Sequence, residues 1–165
     1  MNRSFTRFAI TLGALALLGP GCISFRGGGS GDVFSVWKSV DGGVEWDLRA
    51  AYPTPQGVGS IANVEVNELV VAPSDRFTLY LGSIANGLFY SYDAAEGWMR
   101  PRESYLREGR VRAIAVDAND KCTLYVSRGQ KLAKSTDCGR TFDTETYVDP
   151  RADVVITDVE VDWFN

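Results

Sequence analysis

Three stretches of this chain share one short pattern, Ser-x-Asp with an aromatic residue five positions after the Asp. They are Ser39-Val40-Asp41 with Trp46, Ser91-Tyr92-Asp93 with Trp98, and Ser135-Thr136-Asp137 with Phe142, so the aspartates stand 52 and then 44 residues apart. The surrounding sequence repeats as well. Leu69-Val70-Val71-Ala72 lines up with Ile114-Ala115-Val116-Asp117, 45 residues on, and Thr78-Leu79-Tyr80 recurs as Thr123-Leu124-Tyr125. A third run of the opening kind covers 158–165. Repeats of this length cannot bury an apolar face alone, so each must stack on its neighbours. The β-branched and aromatic content between turn residues predicts strands throughout.

The motif has a physical role in such a repeat. An Asp carboxylate accepts hydrogen bonds from backbone amides ahead of it and closes a tight turn. A small residue two positions on (Gly43, Ala95, Gly139) suits backbone that leaves ordinary β space. The aromatic then anchors the turn by burying a large apolar surface. Ser39, Asp41, Gly43 and Trp46, then Ser91, Asp93 and Trp98, then Ser135, Asp137, Gly139, Thr141 and Phe142 are therefore assigned to turn structure.

The motif resembles the Asp-box, or BNR repeat, of sialidases, sortilin-type receptors, xyloglucanases and photosystem II assembly factors. Only the third copy follows the family pattern S-x-D-x-G-x-T-[WF] throughout; Glu45, and Ala95 with Gly97, depart from it in the other two, which implies looser turns. The resemblance implies an all-β protein built from propeller blades of four antiparallel strands, with the boxes on the outer rim. One blade is expected at 66–72, 78–83, 87–92 and from Trp98, and the next at 111–117, 122–128, 131–136 and 141–148. Strands 33–40 and 45–50 would close an earlier blade, and 154–162 would open a later one. Two whole and two partial blades, where propellers close with about 4–8, imply the N-terminal portion of a longer propeller over 32–165. Closure by self-association and a degenerate remnant are the alternatives.

Residues 1–21 have the plan of a bacterial lipoprotein signal. Arg3 and Arg7 precede an apolar run from Phe8 to Leu18 that suits a signal rather than a span. Cys22, after Gly19-Pro20-Gly21, resembles a lipobox cysteine awaiting a lipid; cleavage nearby with Cys22 left as a free thiol is the alternative. The Gly/Ser stretch completing 22–31 reads as a flexible tether. The expected location is the cell envelope, anchored to a bacterial membrane and facing outside the cytoplasm, with the lipid bilayer as one partner.

Cys122 opens one strand and Cys138 follows the next, at the open end of a hairpin turning near Gly129, so a disulfide between them is expected. Two separate buried thiols are the alternative. The net charge of −4 and the lack of any basic stripe argue against nucleic acid as a partner.

The chain contains no histidine, which excludes Ser-His-Asp and Cys-His nucleophilic systems and His-based metal sites. Asp158, Glu160 and Asp162 share one strand face. That arrangement suits a solvated or channel-facing edge more than Ca²⁺ binding or acid chemistry. Arg100, Arg102, Arg107, Arg110 and Arg112 are expected to solvate the connection between blades. Tyr90, Tyr92 and Tyr105 offer a sugar platform only in a minority reading, and Trp37 and Phe89 read as core. The Phe/Tyr-Arg-Ile-Pro segment of sialidases is missing from this sequence. No catalytic set, metal site or cofactor is identified. The expected function is a module that binds a protein or peptide ligand or assists assembly. The alternative is a glycoside hydrolase of the sialidase or xyloglucanase kind whose catalytic residues lie mostly outside this chain.

Overall fold

The computed structural model describes residues 35–162; the signal, Cys22 and its tether, and residues 32–34 and 163–165 lie outside the described residues. The fold is all-β, with antiparallel sheets of two to four strands laid out as propeller blades. A first pair joins β1 (Trp37–Lys38) to β2 (Asp47–Leu48), and a second joins β3 (Ala51–Thr54) to β4 (Gly57–Ser60). The middle sheet has the order β5 (Val66–Ala72), β6 (Asp75–Ser83), β7 (Leu88–Ser91). After a 3₁₀ turn at Ser104–Arg107 comes the last sheet, with β8 (Ala113–Val116), β9 (Leu124–Arg128), β10 (Lys131–Ser135) and β11 (Asp143–Val148) in sequential order.

Period-two side-chain alternation places two cores on opposite faces of the middle sheet. Tyr80, Leu88 and Tyr90 pack with Ile114, Val116, Leu124, Val126 and Phe142 of the last sheet. Leu81, Phe89 and Trp98 pack with Val36, Ala50, Ile61 and Val64. Strands β6 and β7 of the middle sheet are thus covered on both faces, as strands of a blade inside a stack must be.

Three details differ from the strand reading. The outer strand expected from Trp98 is reduced to a single bridge, Tyr90 with Met99. Trp98 instead donates its backbone N–H to Ala51 and its indole N–H to the Arg49 carbonyl, and Pro101, which has no N–H, ends any ladder. The β3–β4 hairpin falls between 50 and 66, where the strand reading places nothing, and it carries Pro53 in a strand and Pro55 in its turn. A two-stranded ribbon has only edges, where proline is tolerated, and Thr54 Oγ1 secures the turn by donating to the Gly57 carbonyl. Residues 154–162, expected to open a later blade, join no ladder. They lie against the last sheet through Ile156, whose N–H donates to the Gly129 carbonyl and whose carbonyl accepts from Ser127 Oγ.

Candidate functional site

The three Asp turns build the same network. In each, the serine hydroxyl donates to the aspartate (Ser39 to Asp41 at 2.7 Å, Ser91 to Asp93 at 2.7 Å, Ser135 to Asp137 at 2.9 Å). The same oxygen accepts the N–H four residues on, from Gly43, Ala95 and Gly139. The aspartate accepts the N–H of Glu45, Gly97 or Thr141 in turn. Thr141 Oγ1 adds a bond of 2.6 Å to Asp137, and this is the contact that Glu45 and Gly97 cannot make. Glu45 and Gly97 in place of a threonine therefore cost one side-chain bond and leave the backbone network whole. Two consecutive left-handed residues follow each aspartate: Gly42 and Gly43, Ala94 and Ala95, Cys138 and Gly139. Outside glycine such a conformation costs roughly 1–2 kcal/mol per residue, which the hydrogen bonds offset. Amide donors hold the Asp41 carboxyl below its usual range; Asp137 is also lowered, because bonds from Thr141 and Ser135 outweigh its burial. All three carboxylates are committed to turns.

The cysteines stand where the hairpin register puts them. Leu124 faces Ser135 at the open end of β9–β10, Cys138 N–H donates to the Cys122 carbonyl, and the two sulfurs lie at disulfide distance. A repeated device sets up this corner. Asp120 accepts from Cys122 N–H and Thr123 Oγ1, as Asp75 accepts from Phe77 N–H and Thr78 Oγ1 45 residues earlier. The Asp-x-x-Thr spacing is visible in the sequence at both places and is the signal that marks these turns. Lys121 ion-pairs with Asp75 and, with the Phe77 and Thr78 donors, lowers its pKa to about 2.

The arginines between the sheets serve the backbone. Arg100 lies over the Phe89 ring at 4.7 Å and donates to the carbonyls of Asn86 and Arg107, while Arg107 Nε donates to the Pro101 carbonyl. Arg110 reaches Asn67 Oδ1. Among the candidate platform aromatics, Tyr90 is buried with Tyr92 tilted against it at 5.2 Å, and Tyr105 lies beneath Arg128 and Lys131. Phe89 is buried in the core and Trp37 is half-buried.

A groove of about 280 Å³ runs along the inner strands, lined by Glu68 of β5, Ile114, Ala115 and Val116 of β8, and Asp158–Val161. Glu68 and Asp158 occupy one position of the 45-residue repeat, with Ala113 between them, which is why they converge. Burial pushes the Glu68 carboxyl above its usual range; the Ile114 N–H opposes this and the Asp158 charge adds to it. One Glu68 oxygen is buried without a hydrogen-bond partner. Glu68 was not singled out from the sequence, although its register with Asp158 was legible there. Asp162 lies further along and is not part of the lining. Among the described residues no group of three or more Cys, Asp or Glu side chains is placed to hold a metal ion, and no helix is long and apolar enough to cross a membrane.

No protein-family model and no curated protein matches the chain. Among solved structures, the crystal structure of an ancestral GH74 enzyme is similar, with a TM-score of 0.45 and 22% identity. The match covers 58% of this chain and 11% of that one.

Proposed function

We propose that this chain is a lipid-anchored, extracytoplasmic propeller module that binds an extended stretch of a protein or peptide along the inner edges of its blades. The groove carries this reading. β8 pairs with β9 on one side only, and its other edge borders a groove that holds Glu68, Asp158 and Glu160 and no basic side chain. An extended ligand adds main-chain hydrogen bonds to such an edge, and the carboxylates favour basic side chains on it. The lipobox-like Cys22 and the Gly/Ser tether would hold the module at a membrane surface, and the paired cysteines fit an oxidising compartment.

The test titrates the full chain with fluorescent extended peptides of basic, neutral and acidic composition. A Glu68→Gln/Asp158→Asn/Glu160→Gln variant is run beside it. Saturable binding of the basic set, lost in the variant, is the expected result. Equal binding of all three sets, or no change in the variant, would sink the reading.

One observation favours a glycoside hydrolase as the second reading. Glu68, whose carboxyl burial pushes above its usual range, shares the groove with Asp158, and glycosidases work through two carboxyl groups flanking the scissile bond. Release of reducing ends from β-glucans that is abolished by Glu68→Gln would establish that reading and displace the first.

A further inference from the structure

Beside the shared apolar core, a set of polar and aromatic contacts from the middle sheet and the segment after it converges on one small corner of the last sheet. Tyr80 donates its hydroxyl to the Lys121 carbonyl at 2.7 Å, and Tyr92 donates to the Cys138 carbonyl at 2.7 Å. Lys121 ion-pairs with Asp75. A Cβ placed on Gly139 would press on the Tyr80 ring at 3.1 Å, and the φ of +88° strains any other residue there. Arg140 lies over Tyr92, and its carbonyl accepts from Arg102 N–H. Every one of these contacts lands on residue 121 or on 138–140, immediately beside the two cysteines.

The middle sheet has the same corner without cysteines. Ala94 N–H donates to the Phe77 carbonyl at 2.8 Å, as Cys138 N–H does to Cys122 at 3.1 Å, and Ala94 takes the same left-handed conformation as Cys138. The turn therefore forms without a covalent tie, and the cystine is an addition to it. Cys122 is half-buried, whereas Cys138 is buried, so Cys122 is the more exposed of the two.

We propose that the Cys122–Cys138 pair is a redox-sensitive lock on the contact between the two sheets. A dithiol reductant attacks Cys122, the S–S bond breaks, and a second attack releases the reductant as its cyclic disulfide, leaving two cysteine thiols. The freed segments at 121–123 and 137–140 then hold their carbonyls less firmly against Tyr80 and Tyr92. The signal passes from the cystine to the neighbouring sheet through two tyrosine hydroxyls.

The test is a cycle on the full chain: thermal unfolding midpoints for the native protein and a Tyr80→Phe/Tyr92→Phe variant, each oxidised and reduced with dithiothreitol. Reduction is expected to lower the native midpoint by several degrees and the variant's by about half as much, because the hydroxyl bonds are already missing there. The single Tyr92→Phe variant gives the same comparison if the double variant does not fold. An alkaline absorbance titration reads the tyrosines directly. Burial holds both above the ordinary range, and reduction is expected to bring them toward it. Equal losses in native and variant protein, an unchanged tyrosine titration, or two free thiols in protein made under oxidising conditions would each overturn the proposal.

Discussion

The inner strands β5 and β8 carry the same apolar pattern, 45 residues apart, and meet different fates. Ile114 and Val116 of β8 are 5% and 9% exposed, whereas Leu69 and Val71 of β5 are 43% and 48% exposed. Strand chemistry does not explain the difference, because both strands pair antiparallel with the next one in sequence. The neighbour does. The middle sheet covers β8, and the short β1–β2 pair leaves the equivalent strip of β5 uncovered. The Asp turns tell the same story: their networks match, yet Trp46 is 41% exposed and Trp98 fully buried. Local code fixes the turn and the strand, and burial comes from whichever blade stands next door.

The comparison breaks most easily at the two tryptophans. Trp98→Ala is expected to cost about 3–5 kcal/mol through the cavity it leaves, and Trp46→Ala about 1 kcal/mol or less. Urea unfolding of each variant measures this, and equal costs would mean that the turns rather than the neighbours set the energetics. The inner strands give the next contrast. Ile114→Ala is expected to cost roughly 2–4 kcal/mol and Leu69→Ala about 1 kcal/mol, by the same assay.

Charge sharpens the comparison with smaller effects. The pKa of Asp75 is lowered in the fold to about 2 from 3.8, chiefly by Lys121. A depressed carboxyl stabilises the fold above its unfolded pKa and loses that contribution as pH falls through the folded value. Stability of the sheet contact should therefore decline as pH drops from about 4 to about 2, and Lys121→Ala should flatten that decline. The opposite sign holds at Glu68. Its raised pKa means that the folded state holds the proton better, so its contribution is lost as pH rises through the folded value. Glu68→Gln is expected to raise the unfolding midpoint slightly at neutral pH and to leave it unchanged in acid. A uniform shift at both would remove Glu68 as a strained groove carboxyl.

The sequence made β5 through β11 legible because the 45-residue period pairs Leu69 with Ile114 and Tyr80 with Tyr125. It did not reveal β3–β4, where prolines at 53 and 55 suppress the strand signal that an edge ribbon tolerates. Nor did it reveal the loss of the outer strand after Trp98, which depends on a long-range bond to Ala51. Of the groove, Asp158 and Glu160 were visible as an alternating face. Glu68 was hidden because a single glutamate in an apolar strand looks ordinary until its register with Asp158 is drawn. Tyr80 is marked by the sequence only as a position of the repeat, and Tyr92 stands out there only as a minority sugar platform, since their partners are carbonyls and no side-chain pattern marks a carbonyl.

Amide hydrogen exchange on the full chain tests most directly whether neighbouring blades confer the stability. The account predicts that β6 and β9, on either side of the shared core, exchange with the same opening free energy as one cooperative unit. The β1–β2 pair should exchange much faster despite its intact Asp turn. Independent opening of the middle and last sheets, or β1–β2 protected as well as β9, would contradict it.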